Sequence, residues 1–210
     1  APIEVNLESG ETVIINGRID RLDLLSGNKV KIIDYKSGKE YLQIKEVEKG
    51  YRLQLMLYLK AAQGEDKVPA GVFYFLIKEP MQTLEGGKEY TEEKLEEENF
   101  KSFKMNGLMV NDEETIEAID KDFTGRSMIA PMQKTKEGIK SNYALSLEEF
   151  RQLQETVDEK IFEICQGLLN GEIPTRPMKV KKTSACDKCK YKGICRFDTV
   201  FEGCHYEIVE

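Results

Sequence analysis

The chain has 210 residues, of which 40% are hydrophobic and 33% charged, enough to bury a core as one large domain or a domain with a small appendage. Its longest apolar runs, such as 71–77, are too short to cross a bilayer, and no charged-then-apolar start resembles a signal peptide, so the expected compartment is cytoplasmic, with no membrane partner. The net charge of −7 excludes a uniformly basic protein, yet the stretch from Arg176 to Arg196 carries +7 and leaves −14 on the remainder.

In chain order, 3–7 (IEVNL) and 12–20 (TVIINGRID) alternate apolar and polar residues around a Glu-Ser-Gly-Glu turn, which predicts a hairpin. A turn at Ser26-Gly27-Asn28 leads into a further strand over 29–36 (KVKIIDYK). Apolar residues at helical spacing predict one amphipathic helix from about Leu42 to Gln63. The unbroken apolar run 70–78 (AGVFYFLIK) reads as a strand buried on both faces. Thr91 opens a helix towards Phe103, Asp112 caps a short one, and Ser146 with Glu148 and Glu149 opens a long one that Asn170-Gly171 ends. Strands followed by helix and strand predict an α/β mixed sheet flanked by helices, over residues 1–175, with a basic cysteine tail over 176–210 packed on the same domain.

The chemistry concentrates in Gly17-Arg18-Ile19-Asp20 and, after thirteen intervening residues, Asp34-Tyr35-Lys36. Residues 34 and 36 lie two apart on a strand and share a face. Both predicted strands end in acids, and hairpin pairing brings those ends together. Two carboxylates there suit Mg²⁺ or Mn²⁺, with the Tyr35 carbonyl as a further oxygen ligand. A lysine beside them supplies positive charge where phosphodiester hydrolysis develops negative charge. The plainer alternative is a set of strand-end surface charges worth little to stability. Gln54 and Tyr58 stand at i and i+4 on the following helix, placed to orient the lysine or meet a phosphate.

Five cysteines is an odd number, and Cys186, Cys189 and Cys195 fall within ten residues. That spacing points to a metal centre in a reducing compartment, not a disulfide framework. Tetrahedral zinc and a [4Fe–4S] cluster both take four ligands, and Cys204, His205 and Cys165 are the remaining candidates in the chain. Cys165, flanked at helical spacing by Ile161 and Leu168, reads as core. Lys181, Lys182 and Lys190 of the tail are candidate DNA-phosphate contacts.

The order of these motifs, with Ser37 after Lys36, resembles the PD-(D/E)XK nucleases of the RecB type. The Cys186-x2-Cys189-x5-Cys195 tail and the stretch 103–108 (FKMNGL) are similar to the AddB subunits of AddAB helicase–nucleases. The resemblance covers essentially the whole chain. It implies a restriction-endonuclease-like core and metal-dependent cutting, as an exonuclease, of single strands delivered by an AddA-like helicase–nuclease partner during double-strand-break processing for recombination. It implies Asp20 and Asp34 as metal ligands, Lys36 as the catalytic lysine, Gln54 and Tyr58 as supporting residues, and the three cysteines as ligands of an iron–sulfur staple. In that family an upstream helix contributes an acidic or histidine ligand and an upstream cysteine the fourth cluster ligand, so both sites are expected to extend beyond Ala1. Two other readings fit the residues: a non-catalytic DNA-binding or scaffold module of nuclease fold, and a zinc-stapled interaction domain.

Overall fold

The computed structural model describes residues 2–38, 40–64, 66–77, 91–121, 123–136, 138–141 and 143–209. Strands β1 (Ile3–Asn6) and β2 (Thr12–Ile15) form the first expected hairpin as a separate two-stranded sheet. Residues 16–20 are not strand, however, and a new strand β3 (Arg21–Leu25) begins directly after Asp20. The strand expected over 12–20 therefore stops at Ile15, and β3 is a further strand not expected from the sequence. Arg21-Leu22-Asp23-Leu24-Leu25 pairs antiparallel with β4 (Lys29–Lys36) across the 26–28 turn, Arg21 opposite Ile33. The turn bends at Gly27 and Asn28, both in the left-handed region (φ +68° and +56°), the conformation that glycine and asparagine adopt at least cost.

The expected 42–63 helix is also interrupted. It splits into α1 (Ile44–Glu48) and α2 (Gln54–Gln63), because Gly50 (φ +79°) and Arg52 (φ +58°) turn the chain between them. Strand β5 (Val68–Leu76) lies parallel to β4, with Asp34 beside Tyr74 and Lys36 beside Leu76. Lys78, the last residue of the predicted run, lies outside the described residues. Helix α3 (Glu92–Ser102) is capped by Thr91, whose hydroxyl accepts from the Lys94 N–H. Strand β6 (Asn106–Val110) follows, then α4 (Glu113–Ile119) capped by Asp112.

A small hairpin of β7 (Gln133–Thr135) and β8 (Gly138–Lys140) precedes β9 (Ala144–Leu145). Helix α5 (Leu147–Leu169) opens on a full Ser146–Glu149 capping box and ends at Asn170, as read from the sequence. The tail holds β10 (Met178–Val180), β11 (Thr183–Ser184), α6 (Lys192–Cys195) and β12 (Glu207–Val209), the strands forming a three-stranded sheet ordered β11-β10-β12.

The central five-stranded sheet runs β3-β4-β5-β6-β9 and is mixed: β4/β5 and β6/β9 are parallel, the other pairs antiparallel. Val30, Ile32, Val72, Leu108 and Val110 project from one face onto α2 and α5, meeting Leu55, Met56, Leu59, Phe150 and Val157. Ile33, Phe73 and Met109 project from the other face onto Ile116, Ile119 and Met132. Burial on both faces explains why β5 reads as a continuous apolar run. Among the described residues no helix is long and apolar enough to cross a membrane.

Candidate active site

On β4 the alternation that sends Val30 and Ile32 into the α2 core carries Asp34 and Lys36 to the same face, one and two residue pairs beyond it. Asp34 is 3% exposed. Its Oδ2 is sealed from solvent and accepts no hydrogen bond; its one close partner is the Lys36 ammonium at 2.6 Å, an ion-pair contact outside hydrogen-bond angles. A buried carboxylate oxygen without a hydrogen bond is costly for the fold to keep.

Asp20 comes to the same strand end from the residue just before β3. One of its carboxylate oxygens, Oδ2, accepts the Tyr35 N–H at 3.0 Å. Because Arg21 pairs with Ile33, continuing the antiparallel register sets Asp20 beside Asp34. The two acids thus meet as expected, through the β3–β4 hairpin and not through the first one.

Helix α2 packs Leu55, Met56 and Leu59 into the core, which turns Gln54 and Tyr58 towards the strand end. Lys36 Nζ donates to Gln54 Oε1 at 3.2 Å, and Gln54 Nε2 donates to the Tyr58 hydroxyl at 2.8 Å. The result is a relay from Tyr58 through Gln54 to Lys36 and Asp34. Gly17 lies against the Tyr58 ring so closely that a Cβ on it would stand 2.7 Å from Cε1. The Gly-x-x-Asp motif therefore joins this relay at its glycine as well as its acid.

Two further residues have no signal in the sequence pattern. Lys36 Nζ sits 5.4 Å from the centre of the Tyr74 ring, a cation–π contact. Burial, opposed by nearby Arg52, pushes the Tyr74 phenol up to about 12. Arg52 pairs with Glu40 and, at 3.1 Å, with Glu46, tying the loop after Lys36 to both α1 and the start of α2. Tyr74 is hidden in an apolar run, and the left-handed turn at Arg52 has no signature in sequence.

The donor set fits a hard divalent cation: two carboxylates, one with a buried oxygen lacking a hydrogen bond, beside the Tyr35 main chain. Magnesium needs only one or two protein carboxylates and keeps several waters. No group of three or more His, Cys, Asp or Glu side chains among the described residues is gathered around one point.

In the tail, Cys186 lies in a 3₁₀ turn, Cys189 directly follows it, and Cys195 ends α6. Burial raises the Cys186 thiol above its ordinary pKa, and the charges of Cys189 and Cys195 raise it further, but among the described residues the three are not gathered around one point. The Cys204 thiol instead donates to Thr175 Oγ1 at 3.5 Å, His205 is exposed, and Cys165 is buried in the core as read. Lys181, Lys182 and Lys190 are all on the surface, and Lys181 is near enough to Glu46 of α1 to act on its charge.

Known proteins resemble the chain along its whole length. It is 38% identical to an ATP-dependent helicase/deoxyribonuclease subunit of Clostridium novyi and 37% identical to its counterpart of the same name in Clostridium acetobutylicum, in both cases over all of this chain. It is 35% identical to the protein of that name from Thermoanaerobacter sp. (strain X514), again over its whole length. It spans 19% of the length of each of these relatives. Residues 1–196 match the PD-(D/E)XK nuclease superfamily, and the chain belongs to that superfamily.

Proposed function

We propose that this chain is a metal-dependent deoxyribonuclease domain that hydrolyses phosphodiester bonds at Asp20, Asp34 and Lys36. The observation that carries the reading is the buried Asp34 Oδ2, which accepts no hydrogen bond and faces one ammonium. A fold retains such an atom where a cation or a reacting group occupies the place beside it. Asp20, Asp34 and the Tyr35 carbonyl would hold Mg²⁺ or Mn²⁺, which supplies Lewis-acid polarisation of a phosphate oxygen and lowers the pKa of water at neutral pH. Lys36, held by Gln54 and turned over the Tyr74 ring, offers positive charge to the oxygens that gain charge during in-line attack. Tyr58 fixes the Gln54 amide and so the direction of its carbonyl towards Lys36.

The names of the relatives support placing this domain in a helicase–nuclease assembly. In this reading an AddA-like partner delivers unwound DNA strands to it for recombinational repair. In this reading residues 1–175 are the nuclease core and 176–210 a staple packed on it. Cys186, Cys189 and Cys195 supply three ligands of a [4Fe–4S] cluster or of zinc. Lys181, Lys182 and Lys190 add sequence-independent contacts to DNA phosphates.

The test is a cleavage assay on single-stranded DNA with and without Mg²⁺. Asp34→Ala or Lys36→Ala should lower cutting by about 10²- to 10³-fold or more while the fold is retained. A folded variant that cuts at the full rate sinks the site. Anaerobic purification with metal analysis separates the staple readings: brown protein holding iron and sulfide supports the cluster, and colourless protein with stoichiometric zinc refutes it.

A further inference from the structure

Three cavities open near this site, and they differ in charge. One, beside α2, is lined by Ile3, Ile15, Ile19 and Leu57, with Arg18 as its single cation. A second, on the opposite sheet face, is lined by phenylalanines, and its cations Arg21 and Lys31 are both spent on Asp23, at 2.8 and 3.0 Å. The third begins at Lys36 and runs past Tyr41, Lys101 and Lys104, with a volume of about 230 Å³. It shares Lys104 and Pro131 with a further hollow of about 300 Å³ that contains Arg126, so the two form one groove leading away from Asp34.

The sheet register explains why cations recur along it. Lys36 is paired with Leu76, and Tyr74 with Asn106 in the antiparallel β5/β6 ladder. Continuing that ladder sets Lys104 opposite Leu76, so Lys36 and Lys104 occupy one row, two strand spacings or roughly 10 Å apart. A few nucleotides of a DNA strand span that distance.

At the Lys104 end of this row the charge is not met by a carboxylate among the described residues. Lys104 Nζ donates to a neutral acceptor, the Ser127 carbonyl, at 2.6 Å. Asp120, the acid that acts on it, is held by the Ser127 hydroxyl at 2.7 Å. Burial and the like charge of Arg126 both pull the Lys104 ammonium below its ordinary pKa, the signature of a cationic site without its anion. Arg126 is exposed, and its backbone is fixed by a bridge to Gln133. Tyr41, 41% exposed, stands at the groove mouth beside Lys36.

We propose that this groove is a phosphate track in which Lys104 and Arg126 bind consecutive phosphates of a single DNA strand whose scissile phosphate lies at Lys36. Tyr41 offers a ring on which a base stacks, a sequence-tolerant contact suited to a strand of any composition. The strand then crosses the sheet towards β6, away from the apolar cavity beside α2. The inference rests on the nuclease reading for the position of the scissile phosphate, but its binding test does not need catalysis.

The experiment is fluorescence anisotropy of the chain with labelled oligothymidine, in chelator so that nothing is cut, over a series of salt concentrations. Arg126→Gln and Lys104→Gln should each reduce the slope of log affinity against log salt by about 0.7, and the double variant by about 1.4. Lys49→Gln, an exposed lysine outside the groove, should leave the slope unchanged. Arg126 lies on the surface, so its variant stays interpretable even if Lys104→Gln, which loses the Ser127 contact, melts early. An unchanged slope in Arg126→Gln, an equal loss in Lys49→Gln, or no binding by the unaltered chain overturns the proposal. If instead the slopes fall as expected while Asp34→Ala still cuts, the track stands and the cleavage-site assignment fails.

Discussion

Replacing Gly17 by alanine probes the least obvious support of the site. The backbone at Gly17 needs no left-handed conformation, so the effect is purely steric. The added methyl would lie 2.7 Å from Tyr58 Cε1, about 1 Å inside ordinary carbon–carbon contact. Helix α2 cannot retreat as a body, because Leu55, Met56 and Leu59 are fully packed beneath it. The displacement falls on the Tyr58 ring, and a movement of about 1 Å is enough to break its 2.8 Å bond from Gln54. Overpacking costs about 1–3 kcal/mol and the lost hydrogen bond about 1 kcal/mol, a fall in Tm of roughly 4–16 °C. Once Gln54 is released, Lys36 loses its fixed direction, and single-turnover cleavage should fall by about tenfold or more. The diagnostic comparison is the double variant. Tyr58→Ala removes the ring that the methyl strikes, so Gly17→Ala should cost little in that background. Gly17→Ala at the unaltered rate and Tm would refute the reasoning, as would penalties for the two substitutions that simply add.

Three other outcomes follow from the same contacts. Asp34→Asn should abolish cleavage without lowering Tm, since the charge it removes is buried and poorly partnered; a clear loss of stability by scanning calorimetry would make Asp34 a structural ion-pair residue instead. Gly107→Ala places a Cβ 1.9 Å from the Val72 carbonyl oxygen and 2.7 Å from Phe73 Cα, so β5 and β6 must part; a loss above about 4 kcal/mol is expected in urea unfolding, and a normal midpoint contradicts it. For Asp112, burial opposes ionisation, but the Lys29 ammonium and the Thr115 contacts outweigh it and hold the carboxyl below its ordinary range. The unfolded chain then binds more protons than the folded one, so this contribution is complete above the ordinary aspartate pKa and is lost as pH falls through the lowered folded value. Asp112→Asn should flatten that acid limb and cost about 1–3 kcal/mol at neutral pH by weakening the cap and leaving the buried Lys29 ammonium with the exposed Glu114 carboxylate at 3.5 Å, measured by urea midpoints from acid to neutral pH.

Much of this protein is written in local pattern. The Ser146 capping box, the Thr91 and Asp112 caps and the 29–36 strand after its turn depend on residues a few positions apart and form where the sequence places them, while the 70–78 apolar run lies in a strand that begins two residues earlier, at Val68. Strands β6 and β9 leave no such pattern, because they are short and draw their stability from pairing with distant partners. The break between α1 and α2 is equally silent, because apolar spacing stays helical across it while Gly50 and Arg52 adopt left-handed angles that periodicity does not register.

The site divides along the same line. Sequence alone determined which groups share a face, because alternation on one strand must set Asp34 and Lys36 on one face and helical spacing must align Gln54 with Tyr58. Only the tertiary structure decided how they meet. The β3–β4 register brings Asp20 to the Tyr35 N–H, the packing of α2 carries Gln54 to Lys36, and Gly17, just beyond the separate β1–β2 sheet, touches Tyr58. Burial then strips Asp34 Oδ2 of water and leaves it facing one ammonium, a property of the assembled core that no stretch of chain holds by itself.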